Sequence, residues 1–106
     1  MSEKKTLKEI QNEINDWIRK HGGYWAPLSM LSAIMEEIGE LAREINSLEG
    51  FKPKKSKEKN NSDLGEELAD IMFSVICLAN YYKIDLTEKL VNIIKKYSNR
   101  DTNRFI

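Results

Sequence analysis

Apolar residues recur at three- and four-residue steps in four successive segments, and nowhere do they alternate in twos. A period near 3.6 builds helices that bury one face, whereas period two builds strands. With no Asn-Gly or Asp-Gly hairpin signal either, the chain has little from which to make a sheet. Leu7, Ile10, Ile14, Trp17 and Ile18 form the first stripe, which stops at Gly22-Gly23. Leu31, Ile34, Ile38, Leu41, Ile45 and Leu48 form the second, with Pro27 suited to its first turn and Gly50 beyond its end. The third, capped by Ser62 or Asp63, carries Leu64, Leu68, Ile71, Met72, Val75, Ile76 and Ala79. Between Ile71 and Ala79 only Ser74 is polar, which predicts a helix buried nearly all round. Asp85 or Thr87 caps a fourth, with Leu86, Leu90, Ile93, Ile94 and Tyr97 as its inner face. The expected fold is all-α: a bundle of four main helices forming one domain over residues 1–106.

Two acidic clusters interrupt this pattern, Glu36-Glu37-Ile38-Gly39-Glu40 and Glu66-Glu67-Leu68-Ala69-Asp70. Carboxylates three apart on a helix point to the same side, about 60° apart around its axis. Glu37, Glu40 and Glu44 fall on one flank of the second stripe; Asp63, Glu67, Asp70 and Ser74 share a flank of the third. These are boundary positions, where a side chain reaches into the cleft between packed helices. Charged helix faces are common, and a single Glu-x-x-Glu is weak evidence of a site. Here, however, lysines four residues on are missing, with only Arg43 intervening, so the usual ion pairing is absent. Asp70, a poor helix former, also stands just before the most apolar run of the chain. Four facing carboxylates repel one another unless hard cations lie between them. All-oxygen ligation suits Mg²⁺, with Mn²⁺ as a substitute. A ferritin-like site would need Glu-x-x-His pairs and zinc would need nitrogen or sulfur ligands, but His21 is the only histidine and lies outside both clusters. It reads as a residue at the C-terminus of the first helix, interacting with the helix dipole.

The remaining composition sets limits. Seventeen basic and seventeen acidic residues cancel, which argues against stable nucleic-acid binding and against a membrane-surface protein. The lone cysteine, Cys77, can form no intramolecular disulfide and reads as a small core thiol. No signal peptide or transmembrane run is visible, so a cytoplasmic setting is expected. Residues 50–61 are rich in lysine and cannot bury enough apolar surface to hold themselves in place. They read as a solvated loop or, more sharply, as a mobile basic flap over a polyphosphate.

At this point the pattern resembles a known family. Glu37-x-x-Glu40, 26 intervening residues and Glu67-x-x-Asp70 resemble the signature of the MazG-like nucleoside triphosphate pyrophosphohydrolases. YWAPLSMLSAIMEEIGELAREIN, KPKK, EELADIMFSVICLAN and KYSNRDTNRF are similar to the small single-domain, YpjD-type branch, and the likeness runs from about Ile10 to Phe105. It implies an all-α fold, a homodimer or homotetramer, and Mg²⁺-dependent cleavage of a nucleoside triphosphate to the monophosphate and pyrophosphate. Carried over, Glu37, Glu40, Glu67 and Asp70 are metal ligands. Glu36, and after it Glu66, is the expected base that activates water. Lys96 and Arg100 match the family's late basic pair and are expected to hold phosphates, with Lys54, Lys55 and Arg104 as auxiliaries. Trp25 is the expected stacking partner of the nucleobase. A non-catalytic nucleotide- or metal-binding regulatory module is the alternative.

Overall fold

The computed structural model describes residues 3–50 and 64–104, and among them are four helices: α1 (Leu7–Lys20), α2 (Pro27–Leu48), α3 (Leu64–Tyr81) and α4 (Leu86–Arg104). None of these helices is long and apolar enough to cross a membrane. The lysine-rich segment and the expected caps Ser62 and Asp63 lie outside the described residues.

Local chemistry explains the helix ends. Thr6 opens α1 with a capping box: its hydroxyl accepts from the Glu9 N–H at 3.1 Å, and the Glu9 carboxylate accepts from the Thr6 N–H at 2.9 Å. His21 closes α1, its Nδ1 2.7 Å from the Trp17 carbonyl, and Gly22 and Gly23 reverse the chain at φ 106° and 89°. Pro27 occupies the first turn of α2. At α4 it is Asp85 that caps, accepting from the Glu88 N–H at 3.3 Å.

α2 packs along α3, α1 crosses α3, and the main contact of α4 is with α1. Among the described residues, Met30, Ile34, Ile76, Cys77 and Ala79 are the buried apolar ones. The core is therefore smaller than the stripes predict, and three expectations need correction. α3 is not buried all round: Met72, Phe73 and Val75 are 56%, 38% and 39% exposed. The stripe of α2 divides: Ile34 turns inward, while Leu31, Ile38, Ile45 and Leu48 remain exposed beside Leu28 and Met35. Leu90, Ile93, Ile94 and Tyr97 of α4 are exposed rather than internal. The cause is common to all three. No helix is enclosed on every side: α2 packs mainly on α3, α3 on α2 and α1, and α4 mainly on α1, while each has apolar residues on more than one flank.

One polar joint ties the ends of the fold together. Gln11 is 5% exposed and fully hydrogen-bonded. Its Nε2 donates to Asn80 Oδ1 and to the Ile84 carbonyl, both at 3.0 Å. Its Oε1 accepts from the Leu86 N–H at 3.0 Å, and Asn80 Nδ2 donates to the Gln11 carbonyl at 2.9 Å. This joint sets where α4 leaves the body of the molecule.

Candidate functional site

Along the α2–α3 seam, residues late in one helix meet residues early in the other. Glu37 faces Glu67 and Asp70, while Met30 and Ala33 share a cavity with Ser74 and Cys77. The two helices thus run antiparallel and bring the acidic clusters together.

Glu37, Glu67 and Asp70 each offer a carboxylate oxygen, and the three oxygens lie within 4.8 Å of one another. Glu37 and Glu67 are partly buried and Asp70 is exposed. Glu67 Oε2 is buried with no hydrogen-bond partner. Burial first, and then the charges of Glu37, Glu40, Asp70 and Glu44, hold the Glu67 carboxyl above the usual carboxylate range. A buried carboxylate oxygen without a donor, surrounded by like charges, is a poor arrangement for a bare protein and a good one for a hard cation. The donor set fits Mg²⁺ on chemical grounds: carboxylates only, with an open side where water and phosphate oxygens would complete the coordination.

The other expected residues are placed as follows. Glu40 is exposed and outside the three-carboxylate group, but near enough for its charge to act on Glu67. Glu36 and Glu66 are exposed, one residue before Glu37 and Glu67. Lys96 and Arg100 are exposed on α4, and the Arg100 guanidinium lies 4.8 Å from the Tyr97 ring centroid. Among the described residues α4 makes its main contact with α1, away from the α2–α3 seam. Lys54 and Lys55 lie outside the described residues, as does the side chain of Arg104. Cys77 is buried, and burial raises its thiol pKa, as suits an inert core residue.

One helical turn from the acids is a cavity of about 350 Å³, lined mainly by apolar groups. Ala33 precedes Glu37 by four residues and Ser74 follows Asp70 by four, a rise of about 6 Å along each helix. Trp25, 69% exposed, is on its rim. Trp17 and His21 stack within it, with ring centroids 4.1 Å apart, and Phe73 meets Trp17 edge-on. Sequence reasoning singled out Trp25 but missed Trp17, His21 and Phe73 as cavity walls. Trp17 and His21 are four apart, so their stacking is legible in the sequence; their approach to Phe73 is a tertiary contact.

Residues 26–105 match the MazG nucleotide pyrophosphohydrolase domain. YpjD of Bacillus subtilis strain 168 is 42% identical over 102 residues, covering 95% of this chain and 91% of that protein. YvdC of the same organism is 25% identical over 105 residues, covering 93% and 95%. Among solved structures, that of YpjD from Bacillus subtilis superposes with a TM-score of 0.78 at 41% identity, covering 91% of this chain and 98% of that one. A Bacillus-conserved MazG protein, a nucleotide pyrophosphohydrolase, superposes at 0.75 with 36% identity, covering 91% and 93%.

Proposed function

Because the chain belongs to the MazG nucleotide pyrophosphohydrolase family, we propose that it hydrolyses nucleoside or deoxynucleoside triphosphates to the monophosphate and pyrophosphate with the help of Mg²⁺. The observation that carries this reading is the orphaned Glu67 oxygen within a three-carboxylate cluster, one helical turn from an aromatic-walled cavity. Glu37, Glu67 and Asp70 would hold the ion, with Glu40 completing the set. A bound divalent ion there neutralises phosphate charge and makes a bound water more acidic.

The protein's own groups have separate tasks. Trp25, Trp17 and His21 would hold the flat base by stacking, which favours shape over hydrogen-bond readout. Placed in the cavity, the base leaves the triphosphate directed one turn along the seam, over the acids. Glu36 or Glu66 would accept the proton of the attacking water, each being adjacent to a ligand and free to reach solvent. Lys96 and Arg100 would meet the phosphate oxygens. Since α4 lies off the seam of its own chain, pairing with a second copy would be the means of supplying them. An exposed apolar strip on α2 and α3 (Leu31, Met35, Ile38, Leu68, Met72) supports a homodimer or homotetramer. Removal of unwanted or non-canonical nucleotides in the cytoplasm is the role this chemistry suits.

The test is pyrophosphate release from a panel of canonical and modified triphosphates, with Mg²⁺ or EDTA, comparing the native chain with Asp70→Asn. Metal-dependent release of monophosphate plus pyrophosphate, reduced about a hundredfold or more in the variant, is expected. Absence of turnover in a folded, metal-binding protein would overturn the reading in favour of a regulatory module. Replacing Glu36 and Glu66 singly by Gln identifies the base, since its variant loses turnover but keeps metal affinity.

A further inference from the structure

We propose that the cavity between α1 and the α3–α4 turn is a second ligand site, for a small phosphate-bearing anion. It measures about 370 Å³, within the range of small-molecule sites. Asn80, part of its lining, is ten residues beyond Asp70, about 15 Å along α3, so its occupant does not touch the acidic cluster.

Charge gives the class of ligand. Lys8, Arg19 and Lys83 line the cavity against one carboxylate, that of Asp85. Asp85 stands 3.8 Å from Lys8 Nζ, whereas neither Arg19 nor Lys83 has an ion pair among the described residues. Two unneutralised cations on one small cavity favour a multiply charged anion, and a guanidinium fork engages two phosphate oxygens at once. The floor is the Gln11–Asn80 joint, whose amides already bond one another and the backbone. It is thus a fixed base, and recognition is left to Arg19, Lys83 and the Asn12 amide on the wall.

Lys83 supplies an independent observation. Its φ is 57°, and it is the only described non-glycine residue at positive φ. The turn closes by the Ile84 N–H donating to the Ala79 carbonyl at 2.9 Å and the Lys83 N–H to the Asn80 carbonyl at 3.0 Å. This is a Schellman closure, in which glycine or asparagine is the unstrained choice. A lysine there places a cation on the cavity wall against the local backbone preference, as strained residues at binding sites do.

The site goes beyond the proposed reaction and stands whether or not that reading holds. The experiment is a titration of the isotope-labelled full chain with inorganic phosphate, then pyrophosphate, in EDTA at constant ionic strength, followed by amide chemical shifts. Without metal the acidic cluster repels both anions. Saturable shifts at Asn12, Arg19 and Lys83 are expected, with affinity falling at least tenfold in the Arg19→Gln, Lys83→Asn double variant. Asparagine tolerates the left-handed turn, so this variant keeps the fold, which circular dichroism checks. Unsaturable shifts, shifts confined to Lys96 and Arg100, or unchanged affinity in the double variant would each overturn the proposal.

Discussion

Glu67 concentrates the conflict at the centre of this molecule. One of its oxygens is buried without a donor, and the charges of Glu37, Glu40, Glu44 and Asp70 all act on it. Replacing it with Gln removes a negative charge from a crowded site and adds an amide that the neighbouring carboxylates accept from. Glu67→Gln is therefore expected to melt at a higher temperature than the native chain in EDTA. The native chain should gain melting temperature on adding Mg²⁺, because ligand binding to the folded state stabilises it, and the variant should gain little. Thermal scans of both proteins with and without the ion check this; a variant that melts lower in EDTA would show that the carboxylate has a protein partner. The pattern of acids in the sequence announced this site. It did not show that Glu67 carries the buried oxygen and that Glu40 lies outside the group, because that depends on how α2 and α3 rotate against each other.

The joint between elements is polar where the stripes suggested apolar packing. α4 starts from a point fixed by Gln11, which holds the Ile84 carbonyl and the Leu86 N–H from across the chain. Gln11→Ala leaves those groups and Asn80 unmatched, at a cost of about 2–3 kcal/mol. Urea unfolding measures the loss, and hydrogen exchange should show α4 opening before α2 and α3. An α4 that stays as protected as α3 would mean that its packing on α1, rather than the joint, secures it. A glutamine in a helix gives no sign in sequence that it is the buried polar centre of a fold. Its partners are 69 to 75 residues away, and only the crossing of α1 over α3 brings them together.

Among the described residues, more large apolar side chains are exposed than buried. Leu28, Leu31, Met35 and Ile38 on α2, with Leu68 and Met72 on α3, are each 43% or more exposed. Steps of three and four residues place them in continuous strips, which a second copy would cover. Met72→Glu introduces a charge into that strip without touching the buried core. Light scattering should then report the monomer mass, with helix content retained. If the variant keeps the native assembly mass, the interface lies elsewhere, with the exposed apolar residues of α4 as the next place to look.

Residue periodicity and caps are local properties, and the sequence determined them alone: four helices, their approximate ends, a cap for α4 at Asp85 or Thr87, and the paired acidic clusters. The acid spacing also carried the family likeness, because metal ligands three apart on a helix are a one-dimensional record of a shared face. Helix rotation was not available from those patterns. Apolar residues on two flanks of α2, α3 and α4 allow several burials of similar hydrophobic gain, and the stripes therefore misplaced the core. Tertiary contacts made the choice: they turned Ile34 inward and left Ile38 exposed, buried Gln11 beneath the start of α4, and set Trp17, His21 and Phe73 around one cavity beside the acids. Each depends on groups far apart in the chain meeting at a fixed angle, which no local period encodes.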